Sequence, residues 1–243
     1  MKAIQKLREL GQSLWVDKTT HNFLESDVLK ECIKNWSLTG LAFNPAAIRH
    51  TINTGTACDA AIRKQLKKNL IGEELFFEIE MESLRQAADL FRPIYEQTDG
   101  LDGWVSLAVS PLIIHDSNRT IATVRDLYRR VLRPNILITI PGTRENLSVI
   151  EEAIFIGVPV NATLLFSRQH YLAAAEAFIR GIERRIAAGL GAKVGSVASL
   201  FIGPWDASVE DMVPDTLYNQ LGTAIAGQIY NTYTQLQRSQ RWQ

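Results

Sequence analysis

The chain has 243 residues, 46% of them hydrophobic, which is enough for one large α/β core, and its 26 Lys and Arg balance 26 Asp and Glu. A net charge of zero supplies no global basic field, which argues against a nucleic-acid partner or an anionic membrane surface. Cys32 and Cys58 lack CxxC spacing and no apolar run reaches the roughly 18 residues of a spanning helix, so reduced thiols and a cytoplasmic, unexported protein are expected.

The N-terminal MKAIQKLRELGQ reads as a short charged helix without an apolar leader core. Apolar runs at Ser13–Asp17 and Gly40–Asn44 read as strands, and Glu73–Tyr95 as a helix with Leu75, Phe76, Leu84, Ala87, Ala88 and Phe91 on one side and Pro93 marking its end. A strand at Gly103–Ser110 precedes cap candidates Asp116 and Ser117 and a helix carrying Ile121, Val124, Tyr128 and Val131, closed by Pro134. Asn135–Pro141 is the next strand. Thr143 is placed to cap a helix through Ile156, with Gly157 just past its end. After a strand at Val158–Ser167, Ser167 opens what reads as the longest helix, ending near Gly189, Gly191 and Gly195. The last strand is Ser196–Gly203, and a helix over Asp215–Leu236 follows. This alternation predicts six β/α units of a single domain over residues 1–243, with no linker dividing them. Strands buried on both faces suit an open doubly wound sheet or a (β/α) barrel, and no Gly-rich dinucleotide loop favours the first.

In such folds chemistry gathers at the C-terminal ends of strands, where this chain has Asp17, Asn44, Ser106 or Ser110, Thr139, Asn161 with Thr163, and Ser199. Asn44 precedes Pro45, as turn-forming asparagines do, and Asp17 is as well placed to cap a helix as to act as an acid. Asn161 and Thr163, two residues apart, face the same way in an apolar strand, and two buried polar groups cost free energy unless each finds a partner. In NILITIPGT the lone hydroxyl of Thr139 interrupts a run built for burial on both faces. His21, His50, His115 and His170 lack metal-ligand spacing, and Arg180, Arg184 and Arg185 read as the wet face of a helix.

The stretches LGQSLWVD, LTGLAFNP, GWVSLAVSP, NILITIPGT, VPVNATLLFS and VASLFIGPWD resemble, in order and spacing, the strand motifs of transaldolases, especially the longer bacterial and plant-like subfamily, from Leu10 to Trp242. The resemblance implies a TIM-barrel-type (β/α)8 fold and a pentose phosphate pathway reaction. In that reaction a lysine forms a Schiff base with a ketose and moves a dihydroxyacetone unit between sugar phosphates, with no cofactor and no metal. It also implies a role for Asp17 as the strand-1 acid, for Asn44 and Asn161 as substrate-orienting amides, for Thr163 as the residue holding the catalytic water, and for Ser199 and Phe201 as pocket lining.

The departures fall on the chemistry. Where the family reads IKIPGT, Thr139 stands for the lysine; where it reads VSLEVSP, Ala108 stands for the glutamate; and Pro204 stands for the arginine that grips the substrate phosphate. The family continues into two further β/α units, including a WASTGTK-like strand, so only about six of eight units are expected here, with strands 1 and 6 left as edges. The resulting expectation is a catalytically silent or strongly impaired homologue that keeps part of a sugar-phosphate or polyol pocket, or serves as a partner or scaffold. An active enzyme using a relocated amine, Lys18 or Lys193, or a complementing chain is the alternative. Protein partners or self-association would cover the open edges.

Overall fold

The computed structural model describes residues 2–17, 27–43, 62–63, 66–67 and 69–242. The described elements, in chain order, begin with α1 (Lys2–Glu9), β1 (Leu14–Val16), α2 (Asp27–Trp36), β2 (Leu38–Phe43), α3 (Gly72–Gln97), β3 (Trp104–Ala108) and α4 (Ser117–Val131). They continue with β4 (Ile136–Pro141), α5 (Leu147–Phe155), β5 (Val160–Leu165), α6 (Arg168–Ala187), β6 (Ser196–Leu200), α7 (Gly203–Val209) and α8 (Leu221–Gln237). The six parallel strands lie in one sheet in the order β1-β2-β3-β4-β5-β6. A doubly wound sheet reverses direction from its middle strand, whereas strict chain order is the wall of a (β/α) barrel, here with six strands among the described residues.

Residue contacts divide the chain into two compact units, residues 1–108 with 126–138 and residues 109–125 with 139–243. In the first, Leu41, Phe43, Leu84, Phe91 and Val105 form the core. Gly40 pairs with Trp15, and a side chain at 40 would collide with the indole, so the glycine sets how closely that ring lies on the sheet. Asn135 is fully buried, and its Nδ2 donates to Ala88 O at 2.8 Å and Gly103 O at 2.9 Å, tying the start of β4 to α3 and to the residue before β3. Tyr95 and Trp104 meet edge to face at 4.9 Å.

In the second unit, Ile140, Ile150, Ile154, Leu165, Ala174 and Ala177 are buried. Helix α5 ends as Gly157 predicts: φ is +84°, Gly157 N donates to Ile154 O and Val158 N to Ala153 O, each at 2.9 Å. Helices α5 and α6 cross at Gly181, where an added Cβ would lie 2.7 Å from Ile154 Cβ and 2.8 Å from Glu151 O. Asp116 and Ser167 act as expected caps, accepting from Arg119 N at 3.0 Å and His170 N at 3.2 Å.

Several expectations need correction. Pro93 lies inside α3, which runs on to Gln97: proline removes one N–H and crowds one preceding turn, a local cost that the apolar face of a 26-residue helix offsets. That makes α3, not the 20-residue α6, the longest helix. Thr143 makes no side-chain cap bond. A 3-10 turn, Arg144–Asn146, comes first, and α5 begins at Leu147. The last helix starts at Leu221, because Asp215–Leu217 forms a separate 3-10 turn. Strands β5 and β6 are shorter than their apolar runs, ending at Leu165 and Leu200. Arg180 and Arg184 are partly exposed, as a wet face requires, but the three arginines also make specific contacts. Arg180 Nε and Arg184 Nη1 reach the two oxygens of Glu151 at 2.7 and 3.1 Å, Arg184 Nη2 reaches Glu152 at 2.8 Å, and Arg185 Nη1 donates to Phe155 O at 2.7 Å.

Candidate functional site

Strand β4 is buried along its whole length except at Thr139, which is half-buried. A strand enclosed on both faces is why the run reads as nearly continuous Ile and Leu, so the one half-open position is the one where a side chain can meet a ligand. Thr139 O accepts from Val109 N at 3.3 Å, and two residues past Ile140 the chain turns through Gly142, whose N–H donates to Thr163 O at 2.7 Å. A Cβ at Gly142 would collide with the Leu165 side chain, so this turn can lie against β5 only as glycine.

On β5, Asn161 is 6% exposed, and its Oδ1 accepts from Ser199 Oγ at 2.8 Å. The register explains the pair: Asn161 lies opposite Val197 on β6, and Ser199, two residues on, returns to the same face. The hydroxyl supplies part of the partnering that a buried amide needs. Thr163 is half-buried, and just beyond it the register shifts between Ala162 and Leu165, with Leu164 at φ +57° and 37% exposed. A leucine in the left-handed region costs about 1–2 kcal/mol. Such bulges re-aim neighbouring side chains and are frequent beside functional sites. Nothing in VPVNATLLFS signals it, since bulges are usually read from a glycine.

Past the strand ends, Phe201 N donates to Leu165 O at 2.9 Å and its ring lies 5.5 Å from that of Phe166. Phe201 is 38% exposed. Pro204 stands in the first turn of α7, and Trp205 Nε1 donates to Phe166 O at 2.8 Å, which fixes α7 at the end of β5.

The turn after β4 carries its own polar knot. Asn146 Nδ2 donates to Thr143 Oγ1 at 3.0 Å, and hydrogen bonds from the Glu145 backbone and the Thr143 hydroxyl hold the Glu145 carboxyl below its ordinary range. Asn146 is buried with no hydrogen-bond partner for Oδ1. Ser117 Oγ, read as a cap candidate, donates instead to Glu145 O at 3.1 Å.

In the other unit, Asp17 follows β1 and is exposed, Ser106 is buried in β3, and Ala108 is half-buried at the end of β3. Ser110 is exposed and accepts from Leu112 N at 3.3 Å, a turn contact. Asn44, Lys18, His21, His50 and Cys58 lie outside the described residues. His170 Nδ1 accepts from Phe166 N at 3.4 Å, a local contact at the start of α6. Among the described residues, no group of three His, Cys, Asp or Glu is placed to hold a metal ion, and no helix is long and apolar enough to cross a membrane.

Comparison with known proteins reaches the same fold from an independent direction. The model of the transaldolase/fructose-6-phosphate aldolase family matches residues 14–242. Transaldolase 2 of Nostoc punctiforme is 32% identical over 255 residues, covering 98% of this chain and 67% of its own length. The transaldolase of Trichodesmium erythraeum is 33% identical over 253 residues, covering 98% and 67%, and that of an Arthrobacter species is 35% identical over 248 residues, covering 98% and 66%. The chain thus spans about two thirds of the length of these relatives. With β1 to β6 in strict chain order and the match running from the first residue of β1 to Trp242, the chain belongs to the transaldolase/fructose-6-phosphate aldolase family.

Proposed function

We propose that this chain is a family member that binds a sugar or polyol at its strand ends without carrying out the Schiff-base transfer. The observation that carries the reading is Thr139: the one half-open side chain of β4 is a hydroxyl at the position that the resemblance gives to the lysine. Schiff-base chemistry needs an amine that condenses with the ketose carbonyl, releases water, and leaves an iminium to take up the electron pair of the breaking carbon–carbon bond. A threonine hydroxyl can donate and accept hydrogen bonds, but it forms no iminium. Ala108 leaves the acid–base position without a carboxylate, so two separate chemical roles are lost together. Asp17, Asn161, Thr163 and Ser199 remain as groups suited to hydroxyl recognition. On this reading the protein works in the cytoplasm, beside the pentose phosphate pathway rather than as a step of it.

Borohydride trapping with fructose 6-phosphate, followed by mass spectrometry of the intact chain, tests the proposal. The expected result is no covalent adduct and no aldol cleavage. An adduct on Lys18 or Lys193 would overturn the reading and establish a relocated amine. The double substitution Thr139→Lys with Ala108→Glu is expected to restore trapping, because the retained Asn161–Ser199 pair supplies polar support on the neighbouring strands.

A further inference from the structure

Where α6 and α8 meet β5 and β6, the packing leaves a cleft of about 320 Å³. Ala162 of β5 lines it, and strand alternation turns Ala162 away from Asn161, so the cleft lies on the opposite face of the sheet from the Asn161–Ser199 pair. Small side chains make the space: Ala162, with Ala174 and Ala175 on α6, stand where larger residues would close it. Rings wall it, Phe178 from α6, Tyr233 from α8 and Trp242 from beyond the end of α8. Protein interiors are packed close, and a cleft of this size with apolar and aromatic walls and few polar groups is the form that small-molecule sites take.

The polar group that matters is Tyr171. It lines the cleft and is 7% exposed, and among the described residues its hydroxyl makes no hydrogen bond. Tyr233, the phenol beside it, is engaged with Gln237, whose Nε2 donates to Tyr233 Oη at 2.6 Å. Burial, and to a lesser degree the Tyr233 phenol, pushes the Tyr171 phenol up to about 12, so near neutral pH it keeps its proton and remains a donor. A tyrosine buried to this degree usually gives that proton to an acceptor, and a donor left without one is costly. The unengaged hydroxyl, more than the volume, points to a ligand.

Trp242 is held in place by the residue before it. Arg241 Nη1 reaches Glu176 at 2.8 Å, and its Nε and Nη2 reach the two oxygens of Glu183 at 2.7 and 3.0 Å, so one guanidinium spans two carboxylates of α6. Bidentate pairing of this kind is the more favourable form of a surface ion pair. It sets the Trp242 ring 5.9 Å from that of Phe178.

We propose that this cleft binds a small aromatic molecule carrying one hydrogen-bond acceptor, with the Tyr171 hydroxyl donating to that acceptor and Trp242 forming one wall. The cleft and the Asn161–Ser199 pair face opposite ways across the sheet, so this binding does not require the sugar or polyol at the strand ends.

The probes that test it are acetophenone, which has one carbonyl acceptor, and α-methylstyrene, its hydrocarbon isostere. Each is titrated into the isotope-labelled full chain while the Trp242 indole N–H resonance, identified by its loss in Trp242→Phe, is followed by NMR. Acetophenone is expected to shift that resonance saturably with a Kd on the order of a millimolar or below. It is expected to bind roughly three- to ten-fold more tightly than the isostere, the gain from one hydrogen bond. Tyr171→Phe is expected to remove that difference by weakening acetophenone alone. Ala175→Leu, which fills the cleft from a half-buried helical position, is expected to abolish the binding of both. Equal binding of the two probes, or a difference that survives Tyr171→Phe, would remove Tyr171 from the role and overturn the proposal. No saturable shift with either probe, or binding unchanged in Ala175→Leu, would overturn the site itself.

Discussion

Asn135 opens the strand that carries Thr139, and its side chain does what a strand's backbone cannot. Its Nδ2 donates to two buried carbonyls, Ala88 O and Gly103 O. Replacing it by alanine strands both acceptors away from water, so Asn135→Ala is expected to lower stability by about 2–3 kcal/mol, read as a reduced midpoint in urea with an unchanged slope. In sequence the asparagine is indistinguishable from any polar residue before a strand, because its partners lie 47 and 32 residues away. Asn161 is the opposite case: its placement in an apolar run with Thr163 marks it, and the bond from Ser199 Oγ gives the reason it can be buried. A double-mutant cycle of Asn161→Ala and Ser199→Ala is expected to return a coupling of about 1 kcal/mol. A coupling near zero would mean that the two side chains do not bond in solution, and the polar support assigned to that pair would go with it.

Between elements, the α5–α6 contact is decided by one missing side chain and one ion-pair cluster. Gly181→Ala would press a methyl against Ile154 and the Glu151 carbonyl, which is backbone and cannot swing aside, so a loss of about 2–3 kcal/mol is expected. Burial alone would raise the Glu151 pKa, but hydrogen bonds from Arg180 and Arg184 together outweigh it and hold the carboxyl below its ordinary range. A depressed folded pKa contributes stability above the unfolded value, about 4.3, and loses it as pH falls through the folded one. Glu151→Gln is therefore expected to cost about 1–2 kcal/mol near neutral pH, with the difference closing in acid melts below about pH 4. The side chain is 21% exposed, which keeps the effect at this modest size. The three arginines on α6 were legible as charge but not as contact, since a periodic pattern separates polar from apolar and cannot tell water from a facing carboxylate. Gly157 was legible because its signal is local: a left-handed residue closing a helix needs no distant partner. Leu164 takes the same backbone region with no glycine to announce it, and for that reason the bulge beside Thr163 could not be read from sequence.

At the scale of the molecule, parallel strands followed from strands alternating with helices in sequence, but their order did not, since the same alternation suits a doubly wound sheet; the chain-order pairing and the match over residues 14–242 decide for the barrel. Nor could the alternation supply the state of the two ends of the sheet, which depends on what meets them. Among the described residues each end strand has one strand neighbour, and the two ends differ. Strand β1 is three residues long, too short to template much pairing, and every one of its residues is half-buried. Strand β6 is five residues long, SVASL, with Ser196 and Ala198 exposed, and it carries neither the lysine nor the proline with which solitary edges are usually protected. Of the two ends of the described sheet, β6 is thus the one suited by its residues to pair with a further strand. Sedimentation velocity across a hundred-fold concentration range is expected to show association of the isolated chain. Ala198→Lys, which sets a charge on the exposed edge without filling a buried site, is expected to abolish it while leaving the thermal midpoint within a few degrees. Association that survives the lysine would move the contact away from β6.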